Sequence, residues 1–188
     1  MKTPEREAAS QAEDLKFIRE ILAGDEAAYR HLLAKYERRI FSICFRITCN
    51  ESAAEEAAAE AFVRAFYALK RFDQSRPFLP WLIRIAVNRA ISTAEKERAY
   101  RPLPESVLSE PDQTGTAEDA ARHRELARAA QAAVASLPPK LRAVVTLRIF
   151  EDLSYEEIAR TLRLSIGTVM SRLSRGRERI KAALEKFR

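Results

Sequence analysis

The chain has 188 residues, 47% hydrophobic and 32% charged, which is enough apolar material for one medium core or two small ones and too much for wholesale disorder. Its 33 Lys and Arg outnumber 27 Asp and Glu for a net charge of +6; 4 Gly, 2 Cys and 2 His leave little material for a phosphate loop, a disulfide framework or a metal cluster, so no cofactor and no metal are expected. No apolar run approaches the ~18 residues of a membrane span, and Met1–Glu7 leads into no apolar segment, so a cytoplasmic chain without membrane insertion is expected.

Residues 1–13 read as an N-terminal tail and residues 14–98 as helices, and residues 1–98 together carry a net charge of +2. Tyr29, Leu32, Leu33, Tyr36, Ile40, Ile43, Cys44 and Ile47 recur at the 3–4 spacing of one buried helical stripe. Cys44 and Cys49 are five apart on that helix and do not face each other, so they read as unpaired thiols. Ala58, Ala61, Phe62, Ala65, Phe66 and Leu69 form a second stripe, and Leu79, Leu82, Ile83, Ala86, Val87 and Ala90 a third. Asp73-Gln74-Ser75-Arg76-Pro77 breaks the pattern between the last two. No alternating strand pattern appears, so the fold class is all-α.

Periodicity fails over residues 99–121. Pro102, Pro104, Pro111 and Gly115 occur there with one basic and five acidic side chains, a net charge of −4 that marks a flexible acidic linker. Helical pattern resumes at about Ala117, and Ser136-Leu137-Pro138-Pro139 stops one helix and starts the next. Residues 122–188 carry a net charge of +8, and the last 29 residues alone carry +7. Such an excess in a small unit is an electrostatic footprint for polyanions.

The strongest local signal lies in residues 153–180. Ser154 and Glu157 have the spacing of a capping box, Ile158 and Leu162 face inward, and Ala159 permits close approach of a second helix. Leu162-Arg163-Leu164-Ser165 reads as a short turn, with Ser165 able to cap a helix whose apolar stripe is Ile166, Val169, Leu173 and Ile180. Thr168, Ser171, Arg172 and Arg175 fall on another face of it. Arginine reads guanine edges and short hydroxyls contact bases or phosphates, so this helix-turn-helix surface suits a DNA major groove. Arg177, Arg179 and Lys181 extend it as a basic ridge for phosphate attraction.

Two motif blocks go further. Ser136-Leu137-Pro138, Leu153-Ser154-Tyr155-Glu156-Glu157-Ile158-Ala159 and Gly167-Thr168-Val169-Met170-Ser171-Arg172-Leu173 resemble region 4 of the extracytoplasmic-function (ECF) sigma factors of bacterial RNA polymerase. Upstream, Arg71-Phe72-Asp73, Arg76-Pro77-Phe78, Trp81-Leu82 and Arg84-Ile85-Ala86-Val87-Asn88-Arg89-Ala90 resemble their region 2. The resemblance covers residues ~14–187 in order and implies two small helical domains: 14–98 as region 2 and 122–188 as region 4, joined by the acidic linker.

What the resemblance implies is specific. Region 4 would read the −35 element through Thr168, Ser171, Arg172, Ser174, Arg175 and Arg177, and would dock on the polymerase β flap. Region 2 would read and melt the −10 element through Phe72, Ser75, Arg76, Arg84 and Asn88. It would bind the β′ clamp helices through Glu55, Glu56, Glu60 and Phe62. The partners implied are core RNA polymerase, promoter DNA and an anti-sigma factor, with no catalysis by the chain itself. Ala59, Met170 and Ser92 depart from the family pattern, where glutamine, a basic residue and an acidic residue are usual. The alternative reading is a stand-alone helix-turn-helix transcriptional regulator, which would leave the Trp81–Ala90 block without a purpose; an all-α hydrolase lacks metal ligands and any nucleophile–base pair.

Overall fold

A computed structural model of the chain describes residues 4–100 and 129–185, with side chains from residue 8 to residue 98 in the first stretch. The acidic linker beyond Tyr100 and the helical restart near Ala117 lie outside the described residues. Among the described residues all regular structure is helical: α1 (Pro4–Leu22), α2 (Tyr29–Thr48), α3 (Glu51–Ala68), α4 (Phe78–Tyr100), α5 (described over 129–135), α6 (Pro139–Ile149), α7 (Tyr155–Leu162) and α8 (Ile166–Glu185).

The first helix runs through residue 13, where the sequence suggests a tail, and it is anchored by buried Ile18 and Ile21 and by a polar cluster around Asp14. Asp14 is 3% exposed, and its carboxylate accepts from Lys35 Nζ and from the Tyr36 hydroxyl, each at 2.6 Å. A carboxylate buried at that depth requires such partners. Burial and the bond to Asp14 push the Tyr36 hydroxyl up to about 12. Gly24, at φ 111°, then turns the chain into α2 through a left-handed conformation that suits glycine.

Helices α2, α3 and α4 form the core of the N-terminal unit. Leu32, Ile40, Ile43 and Ile47 of α2 are fully buried, whereas Leu33, expected in the same stripe, is exposed. The buried face of α3 is nearly all alanine (Ala54, Ala57, Ala61, Ala65), so its neighbours approach its backbone closely. Asn50 caps α3 by accepting the Ala53 N–H at 2.9 Å. Phe72, Phe78 and Trp81 pack at centroid separations of 5.0–5.7 Å around the entry to α4.

In the C-terminal unit α6 is buried over Pro139 and Leu141–Leu147, on every side rather than on one stripe. It is sandwiched between α8 on one side and α2 with α4 on the other. Arg39 Nε pairs with Glu151 at 2.6 Å, Lys140 with Glu95 at 3.1 Å, and Arg46 covers the Phe150 ring at 4.4 Å. Arg142, 5% exposed, donates to Cys49 Sγ at 2.7 Å and to the Ala135 carbonyl at 3.0 Å. The two helical units are thus closed against each other.

Gly176 of α8 lies where that helix crosses α6. A Cβ added there would lie 2.7 Å from Val145 Cγ2, and Val145 is itself buried and β-branched, with little room to yield. Alanine would gain up to about 1 kcal/mol of helix propensity, but overpacking costs about 1–3 kcal/mol. Gly176→Ala is therefore expected to lower the unfolding free energy by about 1 kcal/mol in urea denaturation; a more stable variant would show that α8 moves aside.

Candidate nucleic-acid interface

The helix-turn-helix is built by two caps. Ser154 Oγ accepts the Glu157 N–H at 3.1 Å while the Glu157 carboxylate accepts the Ser154 N–H at 2.7 Å, so the capping box expected from the sequence is formed. Helix α7 ends on Arg163 in a left-handed conformation, and Ser165 Oγ then accepts the Thr168 N–H at 3.1 Å to start α8. Ile158, Val169 and Leu173 bury the angle between the helices. Ile166 is 46% exposed and stands outside the stripe assigned to it; with Met170 it forms an apolar pair beside the polar face.

The six residues expected to read DNA all lie on the solvent side of α8, with Arg177 on the flank beside Ile166 and Met170 rather than with Thr168. Ser171, Ser174, Arg175 and Arg177 are exposed, and Thr168 and Arg172 are half-buried. Arg175 Nε donates to the Ser171 carbonyl at 3.2 Å, folded back along its own helix. Ser174 donates to Glu178 at 3.0 Å, and Arg177 donates to the Tyr155 hydroxyl at 3.3 Å, bracing α8 against α7.

The second surface is the loop before α4 and the first turns of that helix. Asp73 Oδ1 accepts the Ser75 N–H at 3.0 Å and the Ser75 hydroxyl at 2.6 Å, and its other oxygen pairs with Arg76 at 3.0 Å. These bonds hold the Asp73 carboxyl below its ordinary range and give the loop a defined shape. Ser75, Arg76 and Asn88 are exposed and Arg84 is half-buried, so four of the five residues expected here face outward. Phe72 does not: it is 7% exposed and belongs to the aromatic cluster beneath the loop.

The third surface is the outer face of α3. Glu55 and Glu56 are exposed, while Arg89 of α4 pairs with Glu60 and, at 3.7 Å, with Glu56. Phe62, expected here, is 6% exposed; its side chain packs in the core and its carbonyl accepts the Tyr29 hydroxyl at 2.7 Å. The exposed apolar residues of this face are Val63 and Tyr67, which the sequence reading missed. Ala59, Val63 and Tyr67 follow one another at i, i+4 and i+8 away from the buried alanines, a spacing visible in the sequence.

Among the described residues no group of three or more His, Cys, Asp or Glu could hold a metal ion, and no helix is long and apolar enough to cross a membrane. Burial pushes the Cys44 thiol up to about 12; burial also raises Cys49, against the opposing pull of the Arg142 charge.

Comparison with known proteins assigns the family. Residues 32–100 match the model of Sigma-70 region 2, and residues 127–180 match that of Sigma-70, region 4. The ECF RNA polymerase sigma factor SigW of Bacillus subtilis is 33% identical, over 90% of this chain and 95% of its own length. The RNA polymerase sigma-H factor of Pseudomonas aeruginosa is 33% identical over 94% and 96%, and the ECF sigma-E factor of Escherichia coli 32% over 92% and 94%. The solved structure of CnrH in complex with the cytosolic domain of CnrY shares the fold at a TM-score of 0.65 and 24% identity, covering 93% of this chain and 98% of that one. The chain therefore belongs to the ECF sigma factors. It is an RNA polymerase sigma factor, a member of a class of non-enzymatic initiation factors, and one matched region falls in each of the two helical units described above.

The capping box sets the angle at which α8 is presented. Ser154→Ala removes one side of it and is expected to cost about 1 kcal/mol of stability, read as a lower thermal midpoint. An unchanged midpoint would mean that tertiary packing alone sets the angle.

Proposed function

We propose that region 4 reads the −35 element through Thr168, Ser171, Arg172, Ser174, Arg175 and Arg177, and that region 2 reads the −10 element through Ser75, Arg76, Arg84 and Asn88. The observation that carries this reading is the exposed hydroxyl–guanidinium face of α8 in a chain that also contains region 2. Guanidinium forks on α8 read guanine edges, and the α8 hydroxyls and the basic ridge fix the register on phosphates. On region 2 the shaped loop between rigid helices receives bases unstacked from the duplex, Asn88 pairs with a base edge and Arg84 with the flanking phosphate. Phe72 supports this surface from beneath by packing on Trp81.

Core polymerase would dock on the outer face of α3, with Val63 and Tyr67 supplying apolar contact and Glu55, Glu56 and Glu60 the charge. Glu56 and Glu60 are already tied to Arg89, which keeps this face in register with the Asn88 surface one residue away. In this reading the chain catalyses no step, acts in the cytoplasm with the polymerase, and is held in check by an anti-sigma factor. The solved relative from Bartonella quintana, RpoE with the anti-sigma factor NepR, supports the last point by its fold, at a TM-score of 0.63 and 22% identity. A stand-alone regulator is not favoured, because region 2 is matched over residues 32–100.

The elements are about 25 base pairs apart, roughly 85 Å of B-DNA. A compact chain of 188 residues is only about 40 Å across. Region 4 must therefore leave region 2 before both elements are read.

The test is transcription from a cognate promoter by core polymerase with purified chain. Arg172→Ala and Arg175→Ala are each expected to weaken −35 recognition by about 5- to 150-fold, and Asn88→Ala to reduce initiation while leaving binding to core intact. Transcription unaffected by all three would overturn the assignment. Tyr67→Ser is expected to weaken binding to core without loss of stability, whereas Phe62→Ala is expected to cost about 3–5 kcal/mol of stability as a core deletion. The reverse pattern, in a core pull-down and a urea titration, would return the docking role to Phe62.

A further inference from the structure

Closure of the two units creates a site that neither holds alone. Between them is a cleft of about 960 Å³, with Arg71, Trp81 and Arg84 on the region 2 wall and Arg160, Thr161 and Arg163 on the wall formed by α7 and the turn after it. Two carboxylates border it, and both are engaged: Asp73 with Ser75 and with Arg76, which also lines the cleft, and Glu157 with the Ser154 N–H. Among the described residues no ion pair includes Arg71, Arg84, Arg160 or Arg163. Arg84 and Arg163 face each other, and burial together with the Arg163 charge lowers the Arg84 guanidinium below its ordinary value. A second cleft of about 490 Å³ continues from the first, sharing Trp81, Arg84 and Arg163 and reaching Asn88 and Ser92.

Arg76 on the region 2 wall is neutralised by Asp73, but the two arginines on each wall that are outside ion pairs repel across the gap unless an anion stands between them. Guanidinium forks match phosphate oxygens in pairs, and an indole beside them offers a stacking face for a base. The larger cleft is of the size that takes a small organic ligand and is too large for a single phosphate to fill. We infer that this cleft binds a nucleotide polyphosphate, its phosphates between Arg84 and Arg163 and its base against Trp81. Such a ligand contacts both units, so it binds the closed chain and opposes the separation that promoter reading requires. The site uses two arginines of α7 and its turn that have no part in the promoter roles above. A chain that fails this test still directs transcription.

Trp81 is the only tryptophan of the chain, so its fluorescence reports on the cleft directly. The full chain is titrated with ATP, with sodium pyrophosphate and with a short oligo-dT strand. The Arg160→Ala, Arg163→Ala double variant, altered only at exposed side chains, is titrated in parallel. A saturable change with ATP, weakened at least about tenfold in the double variant, is expected. ATP should also slow alkylation of Cys49, which lies half-buried under Arg142 at the junction of the units. No saturable response to ATP, or an equal response in the variant, overturns the site. So does pyrophosphate acting as well as ATP, because the base then contributes nothing. If oligo-dT binds more tightly than ATP and equally well in the variant, the cleft is only the single-strand surface of region 2, and the two-walled site is wrong.

Discussion

Burial of α6 on all sides is the constraint on which the rest of this structure depends. A helix with one apolar stripe needs one partner, but α6 hides Leu141 through Leu147 and so needs partners around its whole circumference. Helix α8 supplies one side, at a separation that Gly176 makes accessible, and α2 with α4 supply the other. The pairs at its margins, Arg39 with Glu151 and Lys140 with Glu95, join segments far apart in sequence. The same helix is thus the core of region 4 and its means of attachment to region 2.

That double use has an energetic consequence. Separating the units exposes the α2- and α4-facing side of α6 to water and breaks the Glu151 pair, whose carboxylate is 8% exposed. Core polymerase and promoter DNA must offset this cost with contacts available only to the open form, so binding and opening are linked. The exposed Val63 and Tyr67 on α3 are suited to begin the exchange, since they are presented while the chain is still closed. The face of α8 proposed for the −35 element is also open to solvent in this state, whereas Arg84 and Asn88 line clefts walled in part by the turn after α7. Closure therefore bears most on the surface proposed for the −10 element.

Features set by local chemistry were legible in the sequence. The Ser154–Glu157 capping box, the breaks at Asp73–Pro77 and Ser136–Pro139, and the polar face of α8 each depend on residues within a few positions of one another. What escaped depends on distant partners. Helix α1 lacks a strong apolar stripe and is anchored through buried Asp14, whose partners Lys35 and Tyr36 lie over 20 residues away. Phe62 was assigned both to the α3 stripe and to polymerase docking; the stripe prevailed because Phe62 falls in phase with Ala58 and Ala65, leaving Val63 and Tyr67 outside. Phe72 was likewise drawn inward by Trp81 and Phe78. The closure of the two units rests on an α6 without amphipathic contrast, a pattern that indicates burial but names no partner.

The central claim is that one chain is closed when alone and opens on the polymerase to read two separated elements. The most direct measurement is energy transfer between fluorophores at the exposed positions Ala27 and Lys181, with Cys44→Ala and Cys49→Ser removing competing thiols. High transfer in the isolated chain, falling on addition of core polymerase and remaining low on promoter DNA, is the predicted result. Transfer that is already low in the isolated chain, or that does not change when core binds, would contradict it.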